Sequence, residues 1–282
     1  MASNTAQFYD QITKDKINVV LNYPDPSDKI VFGHYETGQH HVVDMHNARQ
    51  FSVPASIEKQ GFCLLSSNID VSVSSIDDLT PDMVKSFETI LIDTLSAEQG
   101  LLLGAVVRHE HKKDTGLPSH SEIRAPGSFI HADWGLQRLK TLTTAPDPIF
   151  VNNSSIDHHD IAKFMKGFSR WGLFNVWIPL TQLTNNNLGL CSINHLDNKD
   201  IVRNFKFNET AEGMTLKYNP AHQWCYYPLM QSNECLIFKQ YDSLEPDNAY
   251  TAVFHGSFNI LTDDNLIMNP RKSLELRYLV GY

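Results

Sequence analysis

A histidine and an aspartate two positions apart are the residues of this sequence whose types and spacing best suit metal chemistry. His131 and Asp133 lie in residues 126–134, which otherwise have the pattern of a strand. Alternate strand residues share a face, so the imidazole and the carboxylate can hold one ion between them. Such a pair also arises by chance at protein surfaces, so the prediction needs support from elsewhere in the chain.

A third ligand is predicted at His255, which apolar residues and the small Gly256 flank. Its ring is therefore expected to face the interior. Two histidines and one carboxylate on one face of an octahedron leave three positions open, the arrangement that binds Fe(II) in non-haem oxygenases. A buried histidine held only by a hydrogen bond is the alternative explanation of His255.

The C-terminal stretch 269–277 alternates strictly, which places Arg271, Ser273, Glu275 and Arg277 on one face of a strand. If that face turns inward, Arg271 and Ser273 can grip a carboxylate, because a guanidinium offers two parallel donors and the hydroxyl adds a third. The alternative is a polar face that turns to water.

These residues together predict one chemistry. Iron at His131, Asp133 and His255 would leave two positions for the oxo-acid end of 2-oxoglutarate and one for O₂. Arg271 with Ser273 would hold the far carboxylate of this cosubstrate, whose oxidative decarboxylation gives succinate. The protein then supplies placement and the exclusion of water.

The elements that must position these residues are mainly strands. Aromatic and branched residues between turn signals predict strands at residues 61–65, 101–107, 173–180, 223–227, 235–241, 250–258 and 273–280. A first helix is predicted from Pro81, after the capping Thr80, and is expected to stop at Gly100. A second is predicted from about residue 155 or 157, with Gly172 just past its end, and residues 141–155 read as a loop.

Many strands with two flanking helices predict a mainly β protein of α+β type, with a double-stranded β-helix (jelly-roll, cupin-like) core. The 282 residues are expected to form a single domain, because jelly rolls and barrels of this length commonly fold as one unit. The jelly-roll core is placed at about residues 100–282 and a mixed α/β extension at about residues 1–99.

Composition limits the partners of the chain. A net charge of −9 without a basic cluster argues against nucleic-acid binding. No apolar run is long enough to cross a bilayer, and the N-terminus lacks a basic region followed by an apolar one, so we expect a cytoplasmic protein without a membrane partner. The sequence does not indicate an oligomeric state.

Cysteine and histidine residues outside the predicted site are interpreted as structural. Cys63, Cys191, Cys225 and Cys235 are scattered, which predicts reduced, buried thiols rather than a zinc site or disulfides. The histidine pairs at 40–41, 109/111 and 158–159 lack partners at the spacing of structural zinc, and we assign them to surface or loop positions.

From about residue 42 to its end, the chain resembles a family of fungal and bacterial non-haem Fe(II)/2-oxoglutarate oxygenases of secondary metabolism. That family includes the cephamycin C-7 hydroxylase component, the aspergillic-acid-type hydroxylase/desaturases and the novofumigatonin endoperoxide synthase. The resemblance rests on the His-x-Asp pair, the distal histidine and the Arg-x-Ser-x-Glu-x-Arg strand, and on residues 43–44, 48–49, 58–62, 175–180, 218–224 and 226–243.

The resemblance implies roles for particular residues. His131, Asp133 and His255 match the iron ligands of the family, and Arg271 with Ser273 is the preferred site for 2-oxoglutarate, with Arg277 as the second choice. Asn175 is a candidate donor to the cosubstrate, although a strand asparagine satisfied by backbone is an equal alternative. Pocket-wall residues are proposed at Trp134, Tyr226 and Tyr227, where a plain core role is equally consistent.

Two positions depart from the family pattern: Ile178 stands where the family usually has an arginine, and Gly256-Ser257 replaces a Thr-Ala pair. Neither is a metal ligand, so an active iron site with a different pocket is expected. Asp133 argues against a halogenase, in which a small residue replaces the carboxylate.

The predicted function is therefore an Fe(II)/2-oxoglutarate-dependent dioxygenase acting on a small biosynthetic molecule. Hydroxylation is the default outcome, with desaturation and ring or peroxide formation as further outcomes. The alternatives are a cupin-like binding protein without catalysis and a metal-dependent isomerase or dioxygenase that does not use 2-oxoglutarate.

Overall fold

A computed structural model describes residues 8–24, 38–110, 125–148, 150–206, 212–245, 251–260 and 269–282 of the chain. Within these ranges strands dominate: β1 (Lys16–Tyr23), β2 (Gln39–Asn47), β3 (Phe62–Ser66), β4 (Gln99–His109), β5 (Trp171–Pro179), β6 (Asn187–Cys191), β7 (Ile201–Lys206), β8 (Glu212–Leu216), β9 (Trp224–Tyr226), β10 (Glu234–Asp242), β11 (His255–Phe258) and β12 (Lys272–Gly281). The helices include α1 (Pro81–Leu95), α2 (Leu136–Thr141) and α3 (His158–Gly167), and residues 8–12 are also helical.

Ten of the strands form two five-stranded sheets. Sheet I has the order β1-β2-β9-β6-β11 and sheet II the order β3-β10-β5-β12-β4, while β7 and β8 form a separate pair. Nearly all pairings are antiparallel, and that of β2 with β9 is parallel. The predicted jelly-roll fold class is consistent with this arrangement of two sheets.

The two faces of β12 differ in chemistry, as its alternating sequence predicts. Leu274 and Leu276 pack on the outer side of sheet II with Phe87 and Leu91 of α1. Ser273, Glu275 and Arg277 point the opposite way, toward sheet I, and are also buried. The alternative of a polar face exposed to water is therefore wrong.

Helix α1 begins where its capping signal predicts but ends early. The Thr80 hydroxyl accepts a hydrogen bond from the Met83 N–H at 3.2 Å, and Pro81 opens the helix. The helix stops before Gly100, because Ser96 adopts a left-handed conformation with φ 51°. Gly100 instead lies inside β4.

Helix α3 also starts close to its predicted position. The carboxylate of Asp157 accepts hydrogen bonds from the N–H groups of His159 and Asp160. The helix ends at Gly167, and Gly172 lies inside β5 rather than just beyond the helix.

The N-terminal part of the chain contributes to both sheets. Strands β1 and β2 extend sheet I, and β3 lies at one edge of sheet II. The first strand predicted from the sequence lies at residues 61–65, so β1 and β2 go beyond that prediction. The division into a core and an extension, and the single domain, stay predictions.

All four cysteines are free and buried, as predicted, and burial raises the pKa of the Cys63 thiol to about 12. The histidine pair at 40–41 lies on β2 and that at 158–159 opens α3, both at least partly exposed, while residue 111 is outside the described ranges. No helix in the described ranges is long and apolar enough to cross a bilayer.

Candidate metal centre

The structure brings His131, Asp133 and His255 together. Residues 131 and 255 form an isolated antiparallel bridge, in which each N–H donates to the carbonyl oxygen of the other at 2.9 and 2.8 Å. One ligand atom from each of the three side chains lies within 4.8 Å of the others. The Nε2 atom of His131 and Oδ1 of Asp133 are 3.7 Å apart.

Both imidazoles are oriented by hydrogen bonds to backbone carbonyls. Nδ1 of His131 lies 2.9 Å from the oxygen of Phe129, and Nδ1 of His255 lies 3.1 Å from the oxygen of Val253. A carbonyl can only accept, so Nδ1 carries the proton and Nε2 keeps its lone pair. This is the arrangement in which histidines ligate metals.

The carboxylate of Asp133 divides its two oxygens between different partners. Oδ2 accepts a hydrogen bond from Nδ2 of Asn175 at 2.7 Å and lies 3.7 Å from Nε of Arg277. Oδ1 faces His131. Burial alone would raise the pKa of Asp133, but the positive charge of Arg277 and the hydrogen bond from Asn175 hold the pKa below its usual range. The group is therefore an anion at neutral pH.

Asp133 must be ionised to bind a metal, whereas the imidazole of His131 must be neutral. Burial, reinforced by the neighbouring His255, lowers the pKa of His131 to about 3, although Asp133 opposes the shift. The ring is neutral at any pH near 7. The neutral ring of His131, the imidazole of His255 and the anionic carboxylate of Asp133 therefore meet at a buried point, which is the donor set of a divalent ion.

A glutamine in β10 links the two segments that carry these ligands. Oε1 of Gln240 accepts from the N–H of Asp133 at 2.8 Å, and its Nε2 donates to the oxygen of Val253 at 3.0 Å. That oxygen also holds the ring of His255. Gln240 is fully buried and was not identified from the sequence, although a lone amide within an apolar strand is a signal that could have found it.

Arg138 of α2 and Phe150 of the loop at residues 141–155 contact the residues around the same site. Arg138 donates to the carbonyl oxygen of Asp133 and forms an ion pair with Asp147 at 3.0 Å. The ring of Phe150 lies between two guanidiniums, 3.8 Å from Cζ of Arg138 and 4.4 Å from Cζ of Arg277. Neither residue was identified from the sequence, because both contacts depend on how the 141–155 loop folds back.

The two arginines of the C-terminal stretch have different surroundings. Arg277 forms an ion pair with Glu275 at 2.7 Å in addition to its approach to Asp133. Burial would lower the pKa of Arg277, but the carboxylates of Glu275 and Asp133 raise it. Its charge is therefore balanced within the protein.

Arg271 is buried without such a balance. Its Nε donates to Oγ of Ser273 at 3.3 Å and its Nη1 to the oxygen of Asn186 at 3.0 Å, and its Cζ lies 5.0 Å from the ring centre of Trp177. No carboxylate among the described residues forms an ion pair with it. Burial first, and then repulsion by Arg108, lowers the pKa of Arg271 to about 9.

Two buried polar atoms between the metal cluster and Arg271 have no hydrogen-bond partner among the described residues. They are Oδ1 of Asn175 and Nε1 of Trp177. Both residues lie on the inner face of β5, where Asn175 pairs with Arg277 and Trp177 with Glu275 of β12. A buried polar group without a partner is costly, which indicates that a polar ligand occupies this space.

The three residues proposed for the pocket wall lie in separate packed clusters. Trp134 packs with Phe150 and Leu103, and Tyr226 donates from its hydroxyl to the oxygen of Ile12 at 2.6 Å. Tyr227 packs edge to face on Phe62 in a third cluster. These contacts are those of core residues, and a role of the three in the substrate pocket stays a prediction.

Residues 7–281 match the protein family described as "Oxidoreductase/YMDC permease-like domain". The chain belongs to this family. It is 23% identical over 246 residues to the hydroxylase/desaturase efuI of Hormonema carpetanum, covering 80% of this chain and 78% of that protein. It is 27% identical over 205 residues to the hydroxylase/desaturase asaB of Aspergillus flavus, covering 66% of this chain and 88% of that protein.

Solved structures of the iron and alpha-ketoglutarate-dependent endoperoxidase NvfI share the fold. Two of them match with TM-scores of 0.73 and 0.70 at 18% identity, covering 96% and 95% of this chain and 99% and 98% of theirs. The predicted jelly-roll fold class is confirmed. The resemblance inferred from the sequence is confirmed as well, because hydroxylase/desaturases and an alpha-ketoglutarate-dependent enzyme are among the proteins that the chain matches.

Proposed function

We propose that this member of the family is an Fe(II)/2-oxoglutarate-dependent dioxygenase that oxidises a small molecule of secondary metabolism. The observation that carries the proposal is the combination of the His131–Asp133–His255 cluster with a buried arginine, Arg271, that lacks an ion-pair partner among the described residues. The names of its relatives, hydroxylase/desaturase and alpha-ketoglutarate-dependent endoperoxidase, support the same chemistry.

The residues present fit the metal and the cosubstrate. His131 and His255 would hold Fe(II) through Nε2 and Asp133 through Oδ1, since their other polar atoms are engaged elsewhere. Arg271 and Ser273 would hold the distal carboxylate of 2-oxoglutarate. When bound, iron and 2-oxoglutarate supply the oxidation of a substrate C–H bond by O₂, coupled to the decarboxylation of 2-oxoglutarate to succinate.

The protein positions the reactants, balances the buried charges and excludes water from the site. Asn175 and Arg277 hold the carboxylate of Asp133 in place. The amide oxygen Oδ1 of Asn175 has no partner among the described residues and can accept a hydrogen bond from a bound molecule. The ring of Trp177 lies beside the guanidinium of Arg271 and offers its N–H to a bound anion. Because these groups are buried, their interactions with a bound anion are stronger than they would be in water.

Hydroxylation is the default outcome, and desaturation, ring formation or peroxide formation can follow from the same site. The names of the relatives cover both hydroxylase/desaturase and endoperoxidase, so we expect the outcome to depend on how each pocket places its substrate. A small-molecule substrate fits this class of enzyme. The cytoplasmic location and the absence of nucleic-acid or membrane partners stay predictions.

An anaerobic titration of the metal-free protein with Fe(II) and then 2-oxoglutarate tests the proposal. We expect the weak visible charge-transfer band of an iron-bound 2-oxo acid. The band should be absent in His131→Ala and present in His159→Ala, a matched replacement of an exposed histidine at the start of α3. Succinate formation in air should follow the same pattern.

The two alternative functions, an enzyme that does not use 2-oxoglutarate and a non-catalytic binding protein, predict different results in this experiment. Bound iron without the band would remove 2-oxoglutarate from the reaction and favour a cosubstrate-free dioxygenase or isomerase, in which Arg271→Gln keeps activity. A band without succinate under any condition would instead favour a binding protein that has kept the jelly roll.

A further inference from the structure

Arg108, at the end of β4, is an arginine of the inner face to which the proposed reaction gives no role. In sheet II it pairs directly with Ser273 of β12, and Val106 pairs with Glu275. Residues paired across strands project their side chains to the same side of a sheet. Arg108 therefore points to the inner side that carries Ser273, beside the site proposed for 2-oxoglutarate.

A hydrogen bond holds this guanidinium close to the metal cluster. Nη1 of Arg108 donates to the carbonyl oxygen of Ala125 at 2.8 Å. Ala125 opens the segment that leads to His131, and a Cβ placed on Gly127, two residues further on, would lie 3.2 Å from Cε1 of that imidazole. Arg108 is thus anchored at the edge of the site, between the metal ligands and Arg271.

Nothing among the described residues neutralises Arg108. It is half-buried, and within the described ranges its guanidinium hydrogen-bonds to the neutral carbonyl of Ala125. The acid two positions later, Glu110, accepts a hydrogen bond from the backbone N–H of Arg271 at 2.8 Å and forms no ion pair with Arg108. After burial, the nearby charge of Arg108 is the main cause that lowers the pKa of Arg271, although Glu275 and Glu110 oppose the shift.

Building on the proposed function, we infer that Arg108 binds a carboxylate of the substrate, so that the enzyme acts on small carboxylic acids. The cosubstrate leaves this position free, because its oxo-acid end belongs to the metal and its far carboxylate to Arg271 and Ser273. A single guanidinium with several free N–H donors matches a carboxylate, which it can bind through two parallel hydrogen bonds. The reacting C–H bond of the substrate would then lie between that carboxylate and the metal ligands.

Direct binding measurements test this assignment. The protein is loaded with Fe(II) and 2-oxoglutarate without oxygen, and octanoate, phenylacetate and benzoate are each compared with their primary amides by calorimetry. At least one acid should bind wild type about tenfold or more tightly than its amide, because a charge-assisted pair is lost in the amide. Arg108→Gln should remove that preference and Arg108→Lys should restore part of it.

Lys272→Gln is the matched control, since it removes one positive charge from the neighbouring exposed position on the outer face of β12. It should leave the acid-over-amide preference within about twofold, because a solvent-exposed charge is well screened. Equal binding of acids and amides to the wild type, including no binding of either, overturns the inference. So does an acid preference that survives in Arg108→Gln.

The 2-oxoglutarate band separates this inference from the proposed function. Arg108→Gln should keep the band with a midpoint close to that of wild type. Loss of the band in Arg108→Gln would make Arg108 a cosubstrate ligand and overturn the inference while the function stands. Absence of the band in wild type, with the acid preference intact, would overturn the proposed function and leave a carboxylate site at Arg108.

Discussion

At the scale of single residues, the surroundings of a charged group distinguish a structural role from a binding role. Arg277 and Arg271 lie six positions apart and are both about 2% exposed. Arg277 is paired with Glu275 and approaches Asp133, whereas Arg271 meets a hydroxyl and a neutral carbonyl. Burying a charge without an opposite charge lowers the stability of the folded state. This favours Arg271 as the residue that binds an anion.

Replacing each arginine by glutamine should therefore have opposite consequences. Arg271→Gln should weaken 2-oxoglutarate binding by about tenfold or more, because a charge-assisted hydrogen bond contributes about 1.5–3 kcal/mol. The free energy of unfolding of the metal-free protein should stay level or rise, since an unpaired buried cation is removed. Urea unfolding and the 2-oxoglutarate band measure the two effects.

Arg277→Gln should instead destabilise the metal-free protein by about 3–5 kcal/mol, the usual consequence of breaking a buried ion pair from one side. It leaves the carboxylate of Glu275 buried without its partner. If Arg277→Gln keeps wild-type stability but loses 2-oxoglutarate binding, the roles of the two arginines are reversed and Arg277, the second choice from the sequence, is the cosubstrate ligand.

At the scale of elements, the proposed metal ligands depend on contacts between segments that lie far apart in the sequence. His131 and Asp133 lie on a short bridge segment outside the named strands, and His255 opens β11. Gln240 of β10 hydrogen-bonds to both segments, through the N–H of Asp133 and the oxygen of Val253. The relative position of the ligands is therefore set partly by a residue of a third strand.

Gln240→Leu should weaken metal binding while the fold persists. The substitution puts an apolar side chain of similar size into β10 and leaves the N–H of Asp133 and the oxygen of Val253 without these partners. Losing a group that orients metal ligands typically lowers affinity by about 10- to 100-fold. Competition titration with Fe(II) or Co²⁺ measures the change. Gln231→Leu, at an exposed position, is the control, and equal affinities of the two variants would contradict the positioning role.

The sequence predicts those parts of the site that depend on strand periodicity. Alternation alone places Ser273, Glu275 and Arg277 on one face of β12, and the structure buries that face. The same rule directs His131 and Asp133 to one side of their segment. Residue type together with a period of two is enough here, because side-chain direction in a strand is fixed by the backbone.

Contacts between distant segments could not be predicted in the same way. The parallel pairing of β2 with β9 joins residues 45–47 to residues 224–226, and no local pattern encodes such a register. The place of Phe150 between Arg138 and Arg277 depends on the turn of a loop. The length of α1 was overestimated because Ser96, rather than a glycine, adopts the left-handed turn that ends it.

At the scale of the whole molecule, the net charge and the charge of the site have opposite signs. The chain carries −9 overall, yet Arg271 and Arg108 lack ion-pair partners among the described residues of the inner face of sheet II. An anionic cosubstrate approaches a negative protein more slowly unless local positive charge attracts it. These two arginines place positive charge beside the proposed 2-oxoglutarate site.

The segment that leads into β9 of sheet I carries a buried histidine whose titration should contribute to the acid sensitivity of the fold. The Nδ1 atom of His222 lies 3.4 Å from the hydroxyl of Tyr23 on β1, and its Nε2 lies 3.4 Å from Oδ2 of Asp200. Burial lowers the pKa of His222 from its ordinary value of 6.5, although Asp200 opposes the shift. The folded state thus binds fewer protons at this site than the unfolded state.

The sign of the effect follows from that difference. Above the ordinary pKa both states hold a neutral ring, and as the pH falls below 6.5 the unfolded state takes up the proton first and becomes favoured. His222→Asn removes this group, so its free energy of unfolding should fall less steeply than that of wild type between about pH 7 and pH 5. Urea unfolding of the metal-free proteins across that range measures the slopes.

His131, also buried and with a lowered pKa, contributes to both proteins and cancels in the comparison. Parallel slopes would show that the ion pair with Asp200 compensates fully for burial, and that acid sensitivity arises elsewhere.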